Sequence, residues 1–146
     1  MQHLKPRTPY SGWPSRFAHA LSRLRTDPHF QTELTKRGIK SFGTGGCAIL
    51  AAALAAALGP EARLVGLREA ALTDIEHVAV ECGGWYLDAY GVRDETQLLA
   101  EARTLGSYEA PVLTDFRLTQ AAANRIRYAG AEELVAALTA HFRPLV

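Results

Sequence analysis

Apolar residues recur at helical spacing early in the chain, where Phe17, Leu21 and Leu24 share one face of a helix that Ser15 can cap and that runs to about Arg25. Asp27-Pro28 opens a second short helix carrying Phe30 and Leu34, and Gly38 closes it. From Cys47 to Leu58 the periodicity disappears because almost every position is apolar, and Gly59-Pro60 stops the run. A helix that is apolar on every side is a buried one, so this stretch is expected to be the central helix. Beyond it the period falls to two. Arg63 to Leu67, Ile75 to Cys82 and Trp85 to Tyr90 are expected as strands, the last two joined by Gly83-Gly84, a strong two-residue hairpin signal. Asp94 caps a helix to about Arg103, an extended piece follows around Tyr108 to Leu113, and two helices are expected over about 117–128 and 131–142, split by Gly130. Residues 1–14 hold Pro6, Pro9, Gly12 and Pro14 and are expected to form an irregular arm anchored by Tyr10 and Trp13. Helices, then a short antiparallel sheet, then helices make an α+β fold.

At 146 residues the chain is expected to be one domain, large enough for a buried core. A net charge of +1 argues against a surface built for nucleic acid by bulk electrostatics, and Arg117, Arg125 and Arg127 are best explained as a solvated helix face. Two cysteines, Cys47 and Cys82, make neither a disulfide framework nor a CxxC pair. No apolar segment follows Lys5 and Arg7 as a signal peptide would need. The longest apolar run, Cys47 to Leu58, falls short of the roughly 20 residues that span a bilayer. The expectation is a cytoplasmic protein with no membrane or nucleic-acid partner; export as an effector would leave the same sequence.

Candidate chemistry begins at Cys47, where the Gly43-Thr44-Gly45-Gly46 loop gives way to the central helix. The unpaired N–H groups and positive dipole at a helix start favour thiolate. A two-residue turn at Gly83-Gly84 pairs Cys82 with Trp85, Glu81 with Tyr86, Val80 with Leu87 and Ala79 with Asp88. Alternation then puts His77, Ala79, Glu81, Tyr86, Asp88 and Tyr90 on one face, and Val78, Val80, Cys82, Trp85, Leu87 and Ala89 on the other. His77 and Asp88 become diagonal neighbours within side-chain reach, and a slip of one residue would separate them. Cys47 would be the nucleophile, His77 the acid–base group and Asp88 the group that orients the imidazole. The oxyanion would be met by the N–H of Cys47 or Ala48, helped by the Gly45 and Gly46 amides or the Thr44 hydroxyl. Trp85 and Tyr86 either line the cleft or pack, and Glu81 and Tyr86 either touch substrate or lie on a solvated strand edge. A zinc site from Cys47, His77 and Cys82 is disfavoured, since the spacing lacks structural-zinc pairs and Cys82 points away from His77. Cys82 is expected as buried sheet filler, and His3, His19, His29 and His141 as surface or packing residues.

The segment from Gly43 to Tyr90 resembles the papain-like and transglutaminase-like cysteine enzymes, in which a Cys opens a central helix and His and Asp follow on adjacent strands. The run from His77 through Trp85 to Asp88 and Gly91 looks like the His strand, turn and Trp-x-x-Asp strand of transglutaminase-like proteins. The Tyr86-Leu87-Asp88 segment, together with Gly45-Gly46 before the nucleophile, is similar to arylamine N-acetyltransferases. The resemblance implies a papain-like core, a Cys47–His77–Asp88 triad, no cofactor, and a protein or peptide substrate. It implies acyl transfer at an amide, isopeptide or thioester bond by a cysteine peptidase, glutamine deamidase or transglutaminase-like enzyme, of the kind used as a bacterial effector or phage protein. A non-catalytic binding module on the same fold, and an acyltransferase with a thioester donor, stand as alternatives.

Overall fold

A computed structural model describes residues 12–106 and 108–146. Three helices come first: α1 (Gly12–Leu24), α2 (Pro28–Lys36) and α3 (Cys47–Leu58). They are followed by β1 (Arg63–Glu69), β2 (His77–Cys82), β3 (Trp85–Asp88) and β4 (Gly91–Arg93), then α4 (Glu95–Leu105), β5 (Pro111–Asp115) and α5 (Glu132–Phe142). The strands form one antiparallel sheet in the order β4-β3-β2-β1-β5. The molecule is therefore α+β, with one small open antiparallel sheet.

Local chemistry explains most of the element ends. Asp27 accepts N–H bonds from His29 and Phe30 to start α2, and Asp94 and Gln97 cap α4 reciprocally. Gly83 and Gly84 both adopt positive φ, as a tight hairpin turn requires, and the resulting register pairs Val80 with Leu87, Glu81 with Tyr86 and Cys82 with Trp85.

α3 is sandwiched between the sheet and α5 and is buried at all but its last residues. On its side of the sheet Val78, Val80, Trp85, Leu87 and Val92 join Phe17, Leu21, Leu34, Leu54 and Phe142 in the main core. The opposite sheet face is covered by α4, where Val65, Ala79, Tyr86 and Leu98 form a smaller cluster. The Phe17 and Phe142 rings stack at 5.8 Å, and Arg16 Nε donates to the Leu145 carbonyl at 2.8 Å, so α1 is tied to the end of the chain. His29 and His141 pack edge-on against Phe30. No helix among the described residues is long and apolar enough to cross a membrane.

Several expectations need correction. Residues 12–14, expected in the irregular arm, are the first turn of α1, where Pro14 is tolerated; residues 1–11 lie outside the described part. The second strand starts at His77 because the Ile75 N–H is taken by Asn124 Oδ1 at 2.7 Å. The third ends at Asp88, whose Oδ1 accepts the Tyr90 N–H at 2.9 Å and turns the chain into the unforeseen β4. The extended piece is shifted to Pro111–Asp115. No helix forms over 117–128. Two 3-10 turns, Leu118–Gln120 and Ala122–Asn124, end where Arg125 takes φ +60° and the Ile126 N–H reaches back to the Ala121 carbonyl. Cys82 is half-buried rather than buried.

Candidate active site

The loop before α3 is wound so tightly that its sequence has little freedom. The Ser41 carbonyl accepts from Thr44 N–H at 3.2 Å and Gly46 N–H at 3.0 Å, and Ser41 Oγ also accepts from Thr44 N–H at 2.9 Å. A Cβ on Gly46 would lie 2.9 Å from the Ser41 carbonyl oxygen and 3.0 Å from Phe42 Cα, so only glycine fits. The first intrahelical bond of α3 runs from Leu50 N–H to the Gly46 carbonyl, and Gly46 offers no side chain as a cap. The N–H groups of Cys47, Ala48 and Ile49 thus form the uncapped positive end of a buried helix.

His77 is the first residue of β2 and Asp88 the last of β3. Alternation turns both toward the α4 side of the sheet, while α3 lies on the other side. His77 Nε2 and Asp88 Oδ2 are 2.8 Å apart, and the Cys47 side chain is close enough to the same ring to act on its proton. Cys47 is buried, with 7% of its surface exposed, and Asp88 retains 4%.

Burial alone would push the His77 proton off, but the hydrogen bonds to Asp88 and Cys47 and the negative charges of both outweigh it, raising its pKa to about 9. Burial also opposes ionisation of Asp88. The His77 hydrogen bond and charge, the charge of Arg93 and the Tyr90 N–H overcome it and hold the carboxyl below its usual range. The ring and the acid are therefore an ion pair across the neutral range.

Beside them lies a cavity of about 540 Å³, lined by His77, Asp88, Gly43 and Tyr90 on one side and by Leu98, Ala102 and Tyr108 on the other. Burial, followed by the charge and hydrogen bond of Glu76 and the charges of Glu69 and Cys47, pushes the Tyr108 hydroxyl up to about 12. Tyr108, Tyr90 and Arg93 had no role in the sequence-based site. The signal for Arg93 was there: a second hairpin after Asp88 pairs Arg93 with Tyr86 and so puts it on the Asp88 face.

The other expected site residues divide. Ala48 N–H stands beside Cys47 at the helix start, and Gly45 shapes the turn with φ +95°. Gly46 and Thr44 spend their N–H groups inside the loop, and Thr44 is exposed. Glu81, Trp85 and Tyr86 are not brought to the site, because they sit at the turn end of the hairpin while His77 begins the strand at the other. Glu81 binds Arg63 Nε and the Gly84 N–H, each at 2.8 Å; Tyr86 donates to Glu95 at 3.0 Å; Trp85 belongs to the main core. Among the described residues no His, Cys, Asp and Glu side chains are grouped to hold a metal ion. No protein-family model, curated protein or solved structure matches this chain.

Proposed function

We propose that the protein is a thiol-dependent acyl-transfer enzyme acting on an amide, isopeptide or thioester bond through Cys47, His77 and Asp88. The observation that carries this reading is an imidazole bonded to a buried carboxylate at 2.8 Å, with the cysteine that opens a buried helix close enough to act on the same ring's proton. With the proton already on His77, Cys47 Sγ attacks the carbonyl carbon as a thiolate beside the imidazolium. The oxyanion that forms is met by the free N–H groups of the first turn of α3. His77 then gives its proton to the departing nitrogen or sulfur as the thioester forms. In the second half it takes a proton from water or another acceptor, which attacks the thioester and frees the thiol. Asp88 keeps the ring in one orientation and balances its charge throughout.

A papain-like or transglutaminase-like architecture is the finer fold reading, supported by a Cys-led buried helix lying on an antiparallel sheet whose adjacent strands carry His and then Asp. The cavity gives the substrate a place beside His77, and its Leu67, Leu98 and Ala102 surface suits an uncharged group. Two unpaired thiols suit a reducing compartment, so we place the protein in the cytoplasm, acting on a protein or peptide.

The test is intact-mass analysis after exposure to a panel of activated esters, peptide amides and acetyl-coenzyme A. An acyl adduct mapped to Cys47, absent in Cys47→Ala and slowed at least tenfold in His77→Ala, is the expected result. A folded protein that forms no Cys47 adduct with any member of the panel would leave only a binding module.

A further inference from the structure

Asp88 Oδ2 serves two donors. Besides His77 Nε2 at 2.8 Å it accepts Arg93 Nη2 at 2.5 Å, and Arg93 Nη1 is in turn paired with Glu101 of α4. Arg93 is 9% exposed, and its Nε has no hydrogen-bond partner among the described residues. A guanidinium so desolvated is held by its two carboxylates, and it cannot shed its charge. It therefore competes with the imidazolium for one oxygen and repels it at short range.

We propose that Arg93 is a positioning residue of this site: by sharing Asp88 Oδ2 with His77, and being itself held by Glu101, it limits how tightly the carboxylate retains the imidazole proton. Its bearing on catalysis rests on the acyl-transfer reading above. Without Arg93, Asp88 would neutralise His77 alone, and the ring would hold its proton too firmly to return it to a leaving group efficiently. Without Glu101, the guanidinium would repel the imidazolium more strongly and the proton would leave sooner. The two changes push in opposite directions, which distinguishes this role from a structural ion pair. A structural role predicts lost stability in both variants and no movement of His77. The other charged or titratable groups around the ring are Cys47 at the start of α3 and, on the cavity wall, Arg25, Glu76, Tyr90 and Tyr108; all stay unchanged in both variants.

The experiment is an NMR titration of the His77 ring nitrogens in the full-length protein, with Arg93→Gln, Glu101→Gln and Arg93→Lys beside the parent. The expected midpoint moves up by about one pH unit in Arg93→Gln, moves down by several tenths in Glu101→Gln, and returns close to the parent in Arg93→Lys. Midpoints that stay put, or that move the same way in Arg93→Gln and Glu101→Gln, overturn the proposal. If Arg93→Gln does not fold, Glu101→Gln decides alone by moving down or not, since its side chain is 40% exposed and its loss is tolerable. The titration needs no turnover. Opposite shifts without a Cys47 adduct would refute acyl transfer and leave the electrostatic role of Arg93; an adduct without the shifts would refute this role alone.

Discussion

Tyr90 lays its hydroxyl against Gly43 so closely that a methyl group at position 43 would overlap it. Gly43 belongs to the loop that leads into Cys47, and the Tyr90 ring centroid is 6.4 Å from that of His77, so the pair forms the rim of the cavity beside the candidate site. Tyr90 is 55% exposed and can swing outward. Gly43→Ala is accordingly expected to cost less than about 1 kcal/mol of stability while changing kcat/KM several-fold. In a Tyr90→Ala background the same Gly43→Ala change should have little kinetic effect, because the ring it displaces is gone. Equal kinetics in the parent, the two single variants and the double variant would show that the rim does not contact substrate.

His77 binds its proton more tightly in the folded protein, with a pKa of about 9, than in the unfolded chain, near 6.5. Its contribution to stability is fully present below about pH 6.5 and disappears as pH rises through about 9. Urea unfolding between pH 6 and 10 should lose roughly 3 kcal/mol that His77→Ala does not lose. Cys47→Ala should reduce the loss, because the thiol is one of the partners that hold the proton. Asp88 acts oppositely: its lowered pKa stabilises above the ordinary carboxylate range, and that stabilisation is lost as pH falls through the folded value.

The two thiols should react unequally. Cys82 is half-buried, and burial followed by the charges of Glu81 and Glu61 pushes its thiol up. Cys47 has an imidazole and a helix start beside it. Peptide mapping after brief iodoacetamide treatment at neutral pH should find Cys47 alkylated at least about tenfold faster than Cys82, and His77→Ala should abolish the preference.

Gly66 lies in β1 opposite Val78, and a Cβ there would stand 2.8 Å from Ile75, which is buried two residues before His77. Gly66→Ala should cost about 1–3 kcal/mol by thermal or denaturant unfolding, through overpacking. Displacing Ile75 should also shift the start of β2 and slow Cys47 acylation more than the stability loss explains.

Much of the site was legible because it depends only on neighbours in sequence. Gly83-Gly84 compels a tight turn, the turn sets the register, and the register puts His77 and Asp88 side by side. The Cys47 helix start followed equally from an apolar run between two glycine breaks. Glu81 and Tyr86 were candidates by face alone, and face does not tell which end of a strand a partner helix reaches; Trp85, on the opposite face, packs in the main core. The helix expected over 117–128 failed because its cohesion is tertiary: the Asn124 side chain is drawn to Ile75, some fifty positions earlier, and local helical preference is too weak to resist.

By itself the order of residues determined the elements that close on themselves: the capped helices, the all-apolar α3, and the Gly-Gly hairpin with its paired His77 and Asp88. Each depends on hydrogen bonds and alternation within a few residues, which a linear pattern encodes directly. Tertiary structure alone decided that Cys47 comes close enough to His77 to act on its proton, that Arg93 shares the Asp88 oxygen under the hold of Glu101, and that Tyr90 and Tyr108 flank the cavity. Those relations join separate layers of the fold, and the burial that makes their charges strong exists only once the layers have packed.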